Sequence, residues 1–282
     1  MTTLALVLHH YRGQVIDLAE QAKAWCDEVG VRCIMDPEDA ALIDSPELAV
    51  SIEELRAADV CLSLGGDGTI LRAVQLVGAS GVPIIGLNAG RLGYLTEFDP
   101  TQLVHALTMW QNDELKVDQR MLLKMSIDSP RQQLTGYALN EVVIERAQSG
   151  HTVSVNALIN GRSFTTFLAD GIIVSTPTGS TAYSLSAGGP IVEPSSEAIL
   201  LTPVAAHMVF DRTMVLNQSS TVELRVQGYR AAAVTLDGRQ VATLEPGESI
   251  RCCSAEVVAR FLVTGERDFH AILKEKFGLS DR

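Results

Sequence analysis

Residues 65–69 read Gly-Gly-Asp-Gly-Thr, three glycines around one carboxylate, and only a narrow chemistry suits them. Glycines let a backbone approach a ligand closely, and free amides at the start of a helix attract anions such as phosphate. Asp67 stands in the middle of that anion site, where a carboxylate repels phosphate unless it takes part in chemistry or holds a metal. Two readings follow. In one, Asp67 is turn material, the N-cap of a helix that begins at Gly68-Thr69. In the other, Asp67 accepts a proton from a substrate hydroxyl while backbone amides and a metal hold a phosphoryl donor. The loop does not follow G-x-x-x-x-G-K-[ST], which excludes a P-loop, nor G-x-G-x-x-G, which leaves hydride transfer poorly supported.

The surrounding pattern shows what must position this loop. Residues 4–8, 31–35, 60–64 and 83–87 are short apolar runs suited to buried strands, and the third runs straight into Gly65. Val15, Leu18, Ala19, Ala22, Trp25 and Cys26 recur at helical spacing and end near Gly30; Ile70, Leu71, Val74 and Val77 mark a helix after the loop. Strands alternating with helices imply a parallel sheet covered on both faces, with ligands beyond the carboxyl ends of its strands. After a further helix at Leu103, Val104, Leu107 and Trp110 the pattern turns to strands. Asn160-Gly161 and Asp237-Gly238 each separate two apolar runs, the strongest short-range signal of a two-residue hairpin. Strands are also expected at 122–127, 142–144, 221–226 and 257–263. Phe269, Ile272, Leu273 and Phe277 form a last helix that packs back on the first domain. The expected division is 1–100, an α/β domain carrying the loop; 101–264, a mainly antiparallel β domain; and 265–282, the returning helix.

Acidic residues outnumber basic ones 34 to 22, a net charge of -12 that disfavours nucleic acid as a partner. An anionic ligand must therefore be held by local amides, a metal or a nearby cation. Five cysteines, odd in number and without C-x-x-C spacing, read as reduced thiols in a cytoplasmic protein. No apolar run approaches the ~20 residues of a membrane span, so no membrane partner is expected.

Further motifs carry a resemblance. The 65–69 signature is shared by NAD kinases, diacylglycerol and sphingosine kinases and, more distantly, phosphofructokinases. The stretch from Asp170-Gly171 through Ser175-Thr176-Pro177-Thr178-Gly179-Ser180-Thr181-Ala182-Tyr183 to Ser186-Ala187-Gly188-Gly189-Pro190 closely resembles the NAD kinase glycine/threonine-rich motif. Asn140-Glu141, the segment from Asn88-Ala89-Gly90-Arg91-Leu92 to Gly93-Tyr94-Leu95-Thr96, and Gln119-Arg120-Met121-Leu122-Leu123 resemble other segments of that family, in family order. The resemblance implies a Rossmann-like amino-terminal domain, a β-rich carboxy-terminal domain and an active site between them. It implies transfer of the terminal phosphoryl group of ATP to the adenosine-ribose 2′-hydroxyl of NAD, with a divalent metal, magnesium by family habit, in a homodimer or homotetramer.

The roles it implies fall on particular residues. Asp67 is the base beside the accepting hydroxyl. Gly65, Gly66, Gly68 and Thr69 bind phosphate, with Arg72 the nearest candidate cation. Asn140 and Glu141 bind the adenine and ribose of NAD; Gly68, Tyr94, Asp170, Thr181, Ala182, Tyr183 and Ser186 line the dinucleotide pocket, partly across a subunit boundary. Asp237, His207 and Arg212 fit family positions, but Asp237 reads first as a hairpin turn and His207 as a structural histidine, while a local salt bridge accounts for Arg212 as well as a phosphate contact does. No metal site fixed by protein residues alone is in view, His9-His10 lacking a third ligand. Phe167-Leu168-Ala169, where some family members are basic or polar, leaves the donor and NADH handling open. The alternatives are a lipid kinase sharing the loop and a catalytically silent nucleotide-binding regulator.

Overall fold

The computed structural model describes residues 1–10, 13–89, 93–148, 150–265 and 268–279. The chain divides into two compact units, Met1–Gln119 with Val258–Arg282, and Arg120–Val257.

In the first unit β1 (Thr3–Leu8), α1 (Gln14–Val29) and β2 (Arg32–Met35) are followed by the short helices α2 (Pro37–Leu42) and α3 (Ile52–Leu55). Then come β3 (Val60–Gly65), α4 (Asp67–Val77), β4 (Ile84–Asn88) and α5 (Leu103–Gln111). The strands pair in parallel in the order β2-β1-β3-β4. Every residue of β3 is buried, which is why it reads as one apolar run rather than an alternation. Leu4, Leu6, Leu62, Ile85 and Leu87 join α1 and α5 in one core, where Trp25 meets Trp110 at 6.4 Å between ring centroids. On the opposite face Gly86 lies against Ile70 of α4, so close that a Cβ there would strike the isoleucine.

The second unit is antiparallel. Its strands are β5 (Lys116–Asp128), β6 (Gln133–Ala138), β7 (Glu141–Arg146), β8 (Val153–Ile159), β9 (Arg162–Ala169) and β10 (Gly171–Ser175). After the one-turn helix α6 (Tyr183–Ser186) come β11 (Ala198–Val204), β12 (Met214–Asn217), β13 (Val222–Gln227), β14 (Ala232–Leu236) and β15 (Arg239–Leu244). Six of these form one sheet in the order β12-β11-β10-β7-β14-β15. Its inward residues Val142, Ile144, Ile172, Val174 and Val234 pack with Val155, Phe167, Leu224 and Ile250 from the other strands. Both expected hairpins form: Asn160 and Gly161 lie at φ 52° and 76°, Asp237 and Gly238 at 46° and 79°, as a type I′ turn requires.

The last strand, β16 (Ser249–Val263), begins in the second unit beside β13 and ends in the first, where Phe261 pairs in parallel with Ile84 of β4. The last helix, α7 (Phe269–Phe277), belongs to the first unit as the sequence led one to expect. None of the described helices is long and apolar enough to cross a membrane.

Leu62 sits at the centre of the parallel sheet with no exposed surface. Leu62→Ala should cost about 2–5 kcal/mol of unfolding free energy, read as a lower urea midpoint.

Candidate functional site

The glycine loop lies where β3 gives way to α4. Gly65 is the last residue of the strand and Gly66 the N-cap of the helix, so Asp67 is the first helical residue. The reading of Asp67 as N-cap is therefore corrected. Its carboxylate turns instead toward a later segment, accepting the Tyr94 amide on Oδ2 at 2.8 Å and the Leu95 amide on Oδ1 at 3.0 Å. Two of the glycines of this neighbourhood have a steric reason. A Cβ on Gly65 would collide with the Thr69 side chain, and one on Gly93 with the Asp67 carboxylate. Thr96 Oγ1, close to the same place, is buried without a hydrogen-bond partner. Gly90, Arg91 and Leu92 of the family-like segment lie outside the described residues.

Arg72, one turn further along α4, does not stand ready for phosphate. Its guanidinium donates to both oxygens of Asp39 at 2.8 Å, to Asp36 and to the Leu8 carbonyl at 3.1 Å. Asp39 is fully buried and also accepts the Leu8 amide at 3.1 Å and meets His10 Nε2 at 2.8 Å. Burial pushes the Asp39 carboxyl above its ordinary range, and Arg72 opposes that shift. The group pins the end of β1 to α2 and α4, and two carboxylates compensate the arginine. Sequence reasoning missed Asp36 and Asp39 because Pro37-Glu38-Asp39 looks like an ordinary acidic helix start.

In the second unit Asn140 precedes β7 and Glu141 opens it, and the backbone around them is held by Asp237. Asp237 accepts the amides of Leu139 at 2.9 Å, Asn140 at 2.8 Å and Glu141 at 3.0 Å. The residue expected either to touch a ligand or to form a hairpin turn does form the turn, and its side chain clamps the Asn-Glu pair. The 178–181 turn completes this group. The Thr176 amide donates to the Asn140 carbonyl at 2.9 Å, and Gly179 packs so tightly on that carbonyl that a Cβ would overlap it.

Glu141 is buried, with Oε2 unpartnered and the Tyr183 backbone amide bonded to its carboxyl. Burial first, and the charge of Asp237 second, push its carboxyl up to about 7. Thr178 Oγ1 and Ser175 Oγ are likewise buried without partners. Unpaired buried polar atoms concentrated beside one carboxylate are what a polar ligand site provides.

The remaining expected residues are more dispersed. Thr181, Ala182, Tyr183 and Ser186 follow one another along the turn and α6, with Tyr183 and Ser186 exposed. Asp170 is held by Arg146 at 2.6 Å. His207 is exposed, and its amide donates to the Leu168 carbonyl at 2.8 Å. Arg212 is exposed and pairs with its neighbour Asp211 at 3.4 Å. Among the described residues no group of three or more His, Cys, Asp or Glu could hold a metal ion.

A parallel sheet ending on a glycine loop with a carboxylate, in a chain with a β-rich second unit that presents an Asn-Glu pair and a hydroxyl-rich turn, defines a nucleotide-binding protein of phosphotransferase type. Residues 5–115 match the ATP-NAD kinase N-terminal domain and residues 139–264 the ATP-NAD kinase C-terminal domain. Similar proteins include the NAD kinase of Moorella thermoacetica, 35% identical over 98% of this chain and 89% of the relative. The NAD kinase of Desulforamulus reducens is 36% identical over 98% and 97%. Among solved structures, yeast NADH kinase complexed with NADH has the same fold, with a TM-score of 0.90 and 24% identity, covering 100% of this chain and 89% of that one. An NAD kinase from Archaeoglobus fulgidus in complex with ATP gives a TM-score of 0.77 at 25% identity, covering 99% and 100%. The chain belongs to the ATP-NAD kinase family.

Two outcomes follow from this geometry. Gly93→Ala should displace Asp67 and cut turnover by about tenfold or more while leaving the chain folded, checked by initial rates beside thermal melts. Glu141 has a native pKa above its unfolded value, so the folded state binds the extra proton and stability falls as pH rises between about 4.5 and about 7. Glu141→Gln should therefore raise Tm at pH 8 more than at pH 5, measured by calorimetry at both values.

Proposed function

We propose that this chain is an NAD kinase that transfers the terminal phosphoryl group of ATP to the adenosine-ribose 2′-hydroxyl of NAD, giving NADP. The observation that carries this reading is the family match over residues 5–115 and 139–264, and it is supported by Asp67 at the glycine loop and by Asn140-Glu141 where β7 begins. Nothing in the comparisons supports a lipid kinase.

In this reading the 2′-hydroxyl, a weak nucleophile, gives its proton to Asp67. Each Asp67 oxygen already accepts one amide and keeps a lone pair for a further partner, so the carboxylate is oriented before substrate arrives. Gly65, Gly66, Gly68 and Thr69 offer backbone close to the donor phosphates at the positive end of α4. Asn140 pairs with the adenine edge through one donor and one acceptor, and ionised Glu141 accepts from ribose hydroxyls. Tyr94, Asp170, Thr181, Ala182, Tyr183 and Ser186 complete the dinucleotide contacts, and Asp237 fixes the Asn-Glu backbone. Arg72 serves the loop by bracing α4 against β1.

Magnesium bound to ATP would supply neutralisation of charge on the phosphate oxygens. No described side-chain cluster is suited to a resident ion. A homodimer or homotetramer belongs to the same reading, as does a cytoplasmic location, in keeping with five free cysteines, four of them buried.

Purified protein given ATP, magnesium and NAD should form NADP, followed with an NADP-specific dehydrogenase. Turnover of a lipid alcohol in place of NAD would refute the assignment. Asp67→Asn should keep NAD binding but lose at least about a hundredfold in kcat, the usual scale for general-base loss. An unchanged kcat removes Asp67 from that role.

A further inference from the structure

Two connections run side by side at one end of the second unit. One leads from β7 to β8, the other from β13 to β14. Both pass between sheets, because β8 and β13 are neighbours in the larger sheet and β7 and β14 in the six-stranded one. Each turns on a glycine of positive φ, Gly150 at 82° and Gly228 at 80°. The Arg230 guanidinium ties them together, donating to the Thr152 carbonyl at 3.3 Å.

Between these connections opens a cavity of about 410 Å³, whose lining includes Arg146, Gln148, His151, Thr152, Tyr229 and Arg230. Small-molecule sites span about 300–1,000 Å³, so this is space for a compact ligand. The cavity opens at the end of β7, whereas Glu141 stands at its start. Asp170, one of the expected dinucleotide contacts, reaches it through its ion pair with Arg146.

Two guanidinium groups thus line one cavity in a chain whose net charge is -12. Like charges brought to one place repel, and only one of the two is met by a carboxylate. Arg146 pairs with Asp170 at 2.6 Å. Among the described residues Arg230 has no carboxylate opposite it; besides the Thr152 carbonyl it meets the Tyr229 ring, with Cζ 4.9 Å from the centroid. That ring is 82% exposed, a large apolar surface left in water at the rim of the cavity. A tie between two connections needs the Arg230–Thr152 bond, but neither the open space nor the exposed ring.

The chemistry of these groups is specific. A guanidinium is a planar fork that matches phosphate with two parallel hydrogen bonds. An exposed aromatic ring is a platform on which a planar base stacks. Gln148 and His151 add further N–H donors. A bare phosphate would leave the ring unused, and a neutral base would leave the arginines unused.

We propose that this cavity is a second nucleotide site, which binds a nucleoside monophosphate with its phosphate on Arg230 and Arg146 and its base on Tyr229. The site is separate from the glycine loop and does not depend on the kinase reading.

The test is calorimetric titration of the full-length protein with uridine monophosphate, whose base lacks the adenine edge assigned to Asn140. Parent, Arg230→Gln, Tyr229→Ala and Tyr229→Phe are compared, with uridine and inorganic phosphate as control ligands. The parent should bind the nucleotide with a Kd below about 1 mM. Arg230→Gln should weaken binding about tenfold, the scale of one charge-assisted contact. Tyr229→Ala should weaken it about fivefold or more, the scale of one stacked base, and Tyr229→Phe should stay within about twofold of the parent. Initial rates of NADP formation without the nucleotide should stay within about twofold of the parent in all three variants. No binding to the parent up to about 10 mM would overturn the proposal. So would affinity within about twofold of the parent in both Arg230→Gln and Tyr229→Ala; with a lower Tm, that is the behaviour of a tie between connections alone. Uridine or inorganic phosphate binding as tightly as the nucleotide would overturn the ligand class. A parent that forms no NADP would refute the kinase reading, while the titrations would still decide this site.

Discussion

The carboxylate of Asp67 holds amides that lie 27 and 28 positions further along the chain, and that contact ties the start of α4 to the segment after β4. Hydrogen bonds to a charged group stabilise by about 1.5–3 kcal/mol each, enough to fix two backbone segments that would otherwise move independently. The contact also demands space. Gly93 carries no side chain where the carboxylate lies, and Gly65 none where Thr69 lies. The signature 65–69 is thus a packing solution as well as an anion site, and a candidate base is oriented by the same bonds that shape the loop.

The same device recurs. Asp237 gathers three amides at the start of β7, and Asp39 gathers the Leu8 amide together with Arg72 and His10. Asp237 sits on a turn and Asp39 on a short helix, each fixing the end of a strand, whereas Asp67 begins α4 and fixes the 94–95 segment. Buried carboxylates are costly unless paired and hydrogen-bonded. Here the stabilisation goes into the placement of two strand ends and of the 94–95 segment. Glu141 is the exception, since one of its oxygens has no partner and its carboxyl is pushed up to about 7. A group left under-satisfied beside well-satisfied ones is available to a ligand.

Much of this was legible in the chain. The apolar runs at 4–8 and 60–64 gave parallel strands because a strand buried on both faces needs an unbroken apolar sequence. Asn160-Gly161 and Asp237-Gly238 gave hairpins because few residue pairs tolerate positive φ at both centres. The strands β6, β10, β11 and β12 were not anticipated: Gln133–Ala138 and Met214–Asn217 are only partly buried, and Gly171–Ser175 lies inside the glycine/threonine-rich motif. The three-aspartate device was not legible either, because a carboxylate that will accept distant amides looks the same in sequence as one that faces water.

By itself, then, the sequence determined the kind of protein: the order of elements, the glycine loop after a buried strand, and the motifs that identify the ATP-NAD kinase family. These follow from local rules, the period of apolar residues and the backbone freedom of glycine. Tertiary structure decided which charges are already spent. Arg72, the obvious cation by proximity in sequence, is compensated by Asp39 and Asp36, 33 and 36 positions before it. Charge compensation depends on distances in space, which sequence separation does not record.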